Sequence, residues 1–320
     1  MLTRYNTALV TGAAGFIASN FIRVLRERAP HMWIVGIDNF STGRRDALPK
    51  GIDFYEGDIN NPALLEKIFS KHSPDVVFHF AAIPPVPLSI KAPSLTTQNN
   101  LAATVALLEK SRDHKVSRFV FSSSAAVYGN PKVALVSEKV PPAPVSPYAL
   151  QKYASELFVK QFADLYGMDT VSLRYFNVFG PGQYGDSSYS TVIARWLEQL
   201  YANSGKEITM EGDGKQSRDF CFIDNICEAN IRALAHSTKF KGDVFNIGSG
   251  KRTDLLTVRA MIEKFSGKRL PLVKKAARIG DIKHSQADIK KATAFLKYRP
   301  VVTFEDGLRQ TVEWFEERQK

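Results

Sequence analysis

The sequence predicts an α/β fold, a doubly wound parallel sheet with a smaller C-terminal α/β domain. Two observations carry this. Short apolar runs alternate with longer stretches of helical recurrence over residues 1–180, and the first run stops at a pair of glycines that open the first helix. Residues 8–11 form the first run, and 16–27 follow with apolar residues at Phe16, Ile17, Phe21, Ile22, Val24 and Leu25. Further strands are expected at 33–37, 54–55, 76–80, 119–122 and 171–173, with helices at 62–72, 99–112 and 148–166. Strands separated by helices imply right-handed crossovers and a sheet covered on both faces. Past Gly180 the rhythm changes to a loop and then helices at 191–203, 225–236, 257–266 and 306–317. The expected division is 1–180, completed by parts of 218–247, and 181–320.

Composition narrows the class. The 320 residues are 44% hydrophobic and 23% charged, which suits a globular chain and excludes disorder. No run approaches a membrane span, and Met1 to Thr7 carries no signal-peptide pattern. Two cysteines cannot build a disulfide framework or a structural zinc site, so no metal is expected and the cytoplasm is the simplest compartment. The net charge of +11 is scattered in pairs such as Arg44-Arg45 and Lys274-Lys275, without interleaved aromatics. It reads as a solvated surface or as attraction of an anionic small substrate, not as a nucleic-acid site.

Gly12 and Gly15 permit a tight turn whose following helix amides can face a pyrophosphate, the Rossmann-type arrangement. Asp38 ends the second strand, where a carboxylate accepts hydrogen bonds from an adenosine ribose and repels a 2′-phosphate, favouring NAD over NADP. Arg44 and Arg45 are a mild counter-signal. Asp58 suits either the adenine amino group or the N-terminus of a helix. Tyr148 and Lys152 share one helix face, where an ammonium would favour phenolate and make the tyrosine a base. An ordinary surface pair has the same spacing. Ser124 stands at a strand end, where sites of open sheets collect or where a polar turn would sit.

These motifs lie in ten ordered blocks, among them Gly57-Asp58-Ile59, His79-Phe80-Ala81-Ala82, Ser122-Ser123-Ser124, Arg174-Tyr175-Phe176-Asn177 and Arg278-x-Gly280-Asp281. Across nearly the whole chain they resemble the extended, sugar-nucleotide-modifying branch of the short-chain dehydrogenase/reductase superfamily. The resemblance implies Ser124, Tyr148 and Lys152 as the catalytic set. It implies NAD held by Gly12, Gly15, Phe16, Ile17, Asp38, Asn39, Asp58, Ile59, Phe80, Ala81, Ala82, Asn100, Tyr148 and Lys152. It assigns the nucleotide-sugar to Ser124, Asn177, Arg218, Arg278, Asp281 and Ser285. Ala125 and Ala126 stand where the 4,6-dehydratases of the branch carry an acid pair, which leaves epimerisation through transient oxidation at C4. The pattern is most similar to UDP-hexose 4-epimerases, especially those acting on UDP-N-acetylglucosamine. Ser285 leaves room for an acetamido group where glucose-restricted relatives carry tyrosine, and UDP-glucose and UDP-galactose fit the same space. A decarboxylase, a uronate 4-epimerase and a non-catalytic NAD-binding protein are the alternatives. Relatives dimerise through the helices matching 99–112 and 148–166, so a homodimer is expected, with no nucleic-acid or membrane partner.

Overall fold

The computed structural model describes residues 2–185, 191–202, 208–276 and 283–318. Seven parallel strands form the central sheet: β1 (Thr7–Thr11), β2 (Trp33–Asp38), β3 (Asp53–Glu56), β4 (Val76–His79), β5 (Arg118–Ser124), β6 (Thr170–Tyr175) and β7 (Lys241–Ile247). Their spatial order is β7-β6-β5-β4-β1-β2-β3. The order reverses between β1 and β4, so a crevice opens beyond their carboxyl ends, at Thr11 and His79.

Both faces are covered, which is why the strands read as unbroken apolar runs. Ala8, Val10, Val76, Phe78 and Val120 face one layer with α1 (Phe16–Arg28). Leu9, Val77, Phe119 and Phe121 face the other, with α2 (Pro62–His72). Two short helices follow β4, α3 (Val86–Lys91) and α4 (Pro93–Thr97). Then come α5 (Ala103–Asp113), α6 (Pro147–Tyr166), α7 (Val192–Tyr201), α8 (Ile223–Ala235), α9 (Leu255–Ser266), α10 (Lys290–Leu296) and α11 (Phe304–Glu317). α5 and α6 cover the face with α2, and α8 lies beside α1.

Four elements differ from the sequence reading. α3 and α4 lie where no helix was expected, and Pro87 and Pro93 occupy first-turn positions, where a missing N–H costs nothing. The helix expected at 99–112 begins as a π turn over Gln98–Ala102 and becomes α-helical only at Ala103. β7 carries polar residues and a register shift between Lys241 and Asp243, with Gly242 at φ +73°, so its alternation is broken. Leu135–Val136 pairs with Gln286–Ala287, Asn177–Phe179 with Phe220–Phe222, and Ser217–Arg218 with Thr253–Asp254, all outside the main sheet.

Arg118 locks α8 to the sheet. It is 1% exposed and donates through Nε and Nη2 to Asp169 at 3.0 and 2.7 Å. Its Nη1 donates to the carbonyls of Ala233 and His236 at 2.6 and 2.9 Å, closing the end of the helix. Arg118→Ala would strand both a buried carboxylate and helix-end carbonyls. We expect a loss of about 3–5 kcal/mol in urea unfolding. A loss under about 1 kcal/mol, as for a surface pair, would refute this role.

Candidate active site

β1 ends at Thr11, and Gly12 turns with φ +70°. A Cβ at Gly12 would lie 2.9 Å from the backbone of Ala81, so only glycine lets the turn approach the end of β4. α1 then starts at Phe16 and Ile17 with no side chain capping its amides. Asp38 closes β2 and accepts from the amides of Ala14 at 3.0 Å and Phe40 at 2.7 Å. Burial raises its pKa, and those hydrogen bonds oppose the rise. Asn39 donates to Asp58 at 3.0 Å, so the ends of β2 and β3 share one polar rim.

A cleft of about 70 Å³ is lined by Gly12, Gly15, Asp38, Asn39, Asp58, Ile59, Phe80, Ala81 and Ala82, with Ser41 and Thr42 on the same wall. The cradle that a Cβ would fill, the uncapped helix amides and the carboxylate at the ribose position fit NAD. Arg44 lies 3.9 Å over the Tyr184 ring and pairs with Asp46 at 3.2 Å, while Arg45 pairs with Glu56. Both counter-signals are thus engaged on their own neighbours.

A directed hydrogen-bond chain crosses the crevice. The Ala81 amide donates to Thr11 Oγ1 at 3.1 Å, and the Thr11 hydroxyl bonds to His79 Nδ1 at 2.7 Å. His79 Nε2–H donates to Thr104 Oγ1 at 2.9 Å, and Thr104 donates to the Asn100 carbonyl at 2.8 Å. Thr104, spent on the Asn100 carbonyl, puts a proton on Nε2, and burial keeps the ring neutral, so Nδ1 accepts from the Thr11 hydroxyl. Asn100 does not line the cleft. Its side chain accepts from the Ile83 amide at 2.7 Å and donates to Gln151 on α6 at 2.8 Å, tying the cleft wall to that helix.

Ser124 ends β5 and accepts from the Ala126 amide at 3.2 Å. Ser146 caps α6 by accepting from the Ala149 amide at 3.2 Å, and Pro147 takes the first turn. The Tyr148 amide donates to the buried hydroxyl of Ser89 on α3 at 3.1 Å. Ser124 and Tyr148 stand close enough for the serine hydroxyl to lower the pKa of the phenol. Lys152 is 3% exposed and donates to the Ser122 carbonyl at 2.7 Å. Burial lowers it to about 8, opposed by Glu156. The sequence reading expected Lys152 to favour the Tyr148 phenolate. Instead burial pushes the Tyr148 phenol above its ordinary value, opposed by the Ser124 hydroxyl, while Lys152 donates to the strand carbonyl. The positive charge of a bound nicotinamide is the further influence that would lower the phenol.

On the other side of the crevice Asn177 and Arg218 line a cavity of about 250 Å³. Phe220 and Trp196 supply apolar wall. Arg218 donates to the Ser217 carbonyl at 3.0 Å, and the Ser285 amide donates to that same residue's carbonyl at 3.1 Å. Ser285 is therefore buried beside the strand bearing Arg218 without lining this cavity. Arg278 and Asp281 lie outside the described residues. The sequence reading gave no role to Asp219. Fully buried, it accepts from the amides of Ser249, Gly250 and Ala287 at 2.7, 3.0 and 3.0 Å, and so gathers three segments beneath Arg218. The block Arg218-Asp219-Phe220 was the available signal.

His79 makes the site acid-sensitive. Burial, aided by the charge of Lys152, lowers its pKa from 6.5 to about 3. In that window the unfolded chain binds a proton that the folded chain refuses, so stability falls as pH drops below about 6.5, by up to about 1.4 kcal/mol per pH unit. Urea unfolding at several pH values should show a shallower slope over this window in His79→Asn. Equal slopes in parent and variant would contradict the assignment.

Comparison with known proteins agrees with this geometry. Residues 8–248 match the model of the NAD dependent epimerase/dehydratase family. The UDP-glucose 4-epimerase of Mycolicibacterium smegmatis is 33% identical over 315 residues, covering 96% of this chain and 97% of that one. Among solved structures, the Thermotoga maritima UDP-glucose 4-epimerase with UDP-glucose superposes with a TM-score of 0.92 at 35% identity, over 98% of this chain and 100% of the other. The Methanobrevibacter ruminantium UDP-N-acetylglucosamine 4-epimerase in complex with UDP-N-acetylmuramic acid superposes with a TM-score of 0.90 at 35% identity, over 98% and 99%. The chain belongs to the NAD-dependent epimerase/dehydratase family.

Proposed function

We propose that the protein is an NAD-dependent 4-epimerase of UDP-hexoses, acting on UDP-N-acetylglucosamine and UDP-N-acetylgalactosamine and also accepting UDP-glucose and UDP-galactose. The observation that carries the reading is the placing of Ser124 beside Tyr148, with Lys152 anchored one turn along the same helix, at the carboxyl edge of the sheet. Ala125 and Ala126 follow Ser124 and offer no acid for elimination. Residues 1–180, with β7, are read as the NAD-binding part, and 181–320 as mainly the nucleotide-sugar part.

When bound, NAD supplies reversible two-electron chemistry at the sugar carbon. Tyr148 takes and returns the proton of the C4 hydroxyl, and Ser124 shares that proton and orients the phenol. Lys152 keeps a positive charge beneath the phenol. Arg218, with Asn177 and the proposed Arg278, holds the diphosphate by charge-assisted hydrogen bonds while the 4-keto sugar turns to present its other face. Ser285, buried beside the strand bearing Arg218 and outside the lining of the cavity, is assigned to the C2 side by its small size alone. Leu150, Leu157 and Leu165, exposed on one stripe of α6 beside Leu95, are the surface we assign to a homodimer. The free thiols of Cys221 and Cys227 favour a cytoplasmic setting.

Incubation with UDP-N-acetylglucosamine, UDP-glucose and UDP-glucuronate in separate reactions, with products identified by NMR, tests the reading. C4 epimers of the first two are expected. Turnover of the uronate alone would favour the uronate alternative, and no turnover of any would favour a non-catalytic NAD-binding protein. Ser285→Tyr should lower kcat/KM for the N-acetyl sugars about tenfold more than for the plain hexoses, because a ring would fill the space the acetamido group sweeps. An equal fall for both classes removes Ser285 as the specificity residue.

A further inference from the structure

The buried charges nearest the reacting set are Glu156 and Arg174, each 4% exposed. Glu156 lies one turn beyond Lys152 on α6. Arg174 grips it as a fork from β6, Nε to Oε1 at 2.9 Å and Nη2 to Oε2 at 2.6 Å. Oε1 also accepts from the hydroxyl of Ser123, the residue before Ser124. β5 and β6 are in register with Ser123 opposite Arg174 and Ser124 opposite Tyr175. Helix α6 thus reaches the end of β5 twice, through Lys152 to the Ser122 carbonyl and through Glu156 to the Ser123 hydroxyl. The guanidinium is held from behind by the Tyr128 ring at 4.7 Å, and the Tyr128 hydroxyl donates to Asn246 at 2.7 Å. Tyr128 ends the turn that Ser124 begins.

A buried ion pair is a poor source of stability, because apolar residues of equal volume would serve as well. It does supply direction, since the guanidinium fork fixes the carboxylate in one plane. We propose that Glu156 and Arg174 are positioning residues that register the end of β5 against α6, and so hold Ser124 at Tyr148 and Lys152 beneath both. The proposal rests on the reading of Ser124, Tyr148 and Lys152 as the reacting set.

The geometry has an electrical consequence. Lys152 is faced by Glu156 from α6, by neutral His79 from β4, and by the Phe121 ring and the Ser122 carbonyl from β5, while Arg174 from β6 reaches it only through Glu156. Glu156 supports its ammonium, and removing that carboxylate while Arg174 stays would release the proton at lower pH.

The test uses the NAD-loaded protein with UDP-N-acetylglucosamine and with UDP-glucose. In Glu156→Gln the alkaline limb of kcat against pH should move down by roughly one pH unit, with KM and NAD content unchanged. In the double variant Glu156→Gln/Arg174→Met the limb should return toward the parent, because both charges are gone. A limb that stays put, with activity lost equally at every pH or not lost at all, overturns the proposal. Ser123→Ala removes one hydrogen bond and no charge, and keeps the test open if Glu156→Gln does not fold. It should lower kcat about tenfold at constant KM, and unchanged kcat overturns the proposal. Tyr148→Phe, measured alongside, separates the two readings. If it is inactive, a failure of Glu156→Gln counts against the positioning role alone, and if it is active both readings fall.

Discussion

The site depends on one uncharged ring. His79 stands at the end of β4, beside Thr11 at the end of β1, where the strand order reverses and the backbone separates to leave a crevice. Its Nδ1 bonds to Thr11, the residue before the glycine turn, and its Nε2 to Thr104, which in turn donates to the Asn100 carbonyl. Asn100 passes the connection to Gln151 on α6, which also bears Tyr148 and Lys152. The buried imidazole and the Ile83–Asn100–Gln151 bonds together join the cofactor cleft to the helix of the reacting side chains. Protonation would give Nδ1 a hydrogen aimed at the donating Thr11 hydroxyl, and the chain would lose its sense.

Charge elsewhere in the interior follows one rule. Asp38 and Asp219 are each wrapped by backbone amides, and Arg118 by carbonyls and Asp169. Glu156 is satisfied by Arg174 and Ser123. Each buried charge ties together chain segments distant in sequence, as a well-packed apolar side chain would not do with the same directionality. Lys152 and Tyr148 are the contrast. Burial disfavours the charged form of both, and so leaves them poised for proton transfer.

The sheet and the nucleotide turn were legible because both obey local rules. Strands buried on two faces are apolar throughout, and Gly12 and Asp38 occupy positions set by the end of a strand. Elements whose reasons are tertiary were not legible. The sequence reading placed no element at 86–91, yet Pro85 precedes α3 and Pro87 fits its first turn, placing Ser89 beneath the Tyr148 amide. β7 hides behind its bulge. Glu156 and Arg174 look like surface charges until α6 folds over β5 and β6. The direction in which Lys152 points could not be read from a four-residue spacing, since that spacing fixes a helix face and not the partner of an ammonium.

In the proposed reaction Tyr148 and Ser124 move only the hydroxyl proton, while the hydrogen on C4 never exchanges with solvent. Incubation with UDP-N-acetylglucosamine or UDP-glucose in D2O measures this directly, with the product's ring positions read by NMR. The expected epimer carries no deuterium at C4 or C5. Deuterium on either carbon would show that a C–H proton had exchanged with solvent, and would contradict reversible oxidation at C4.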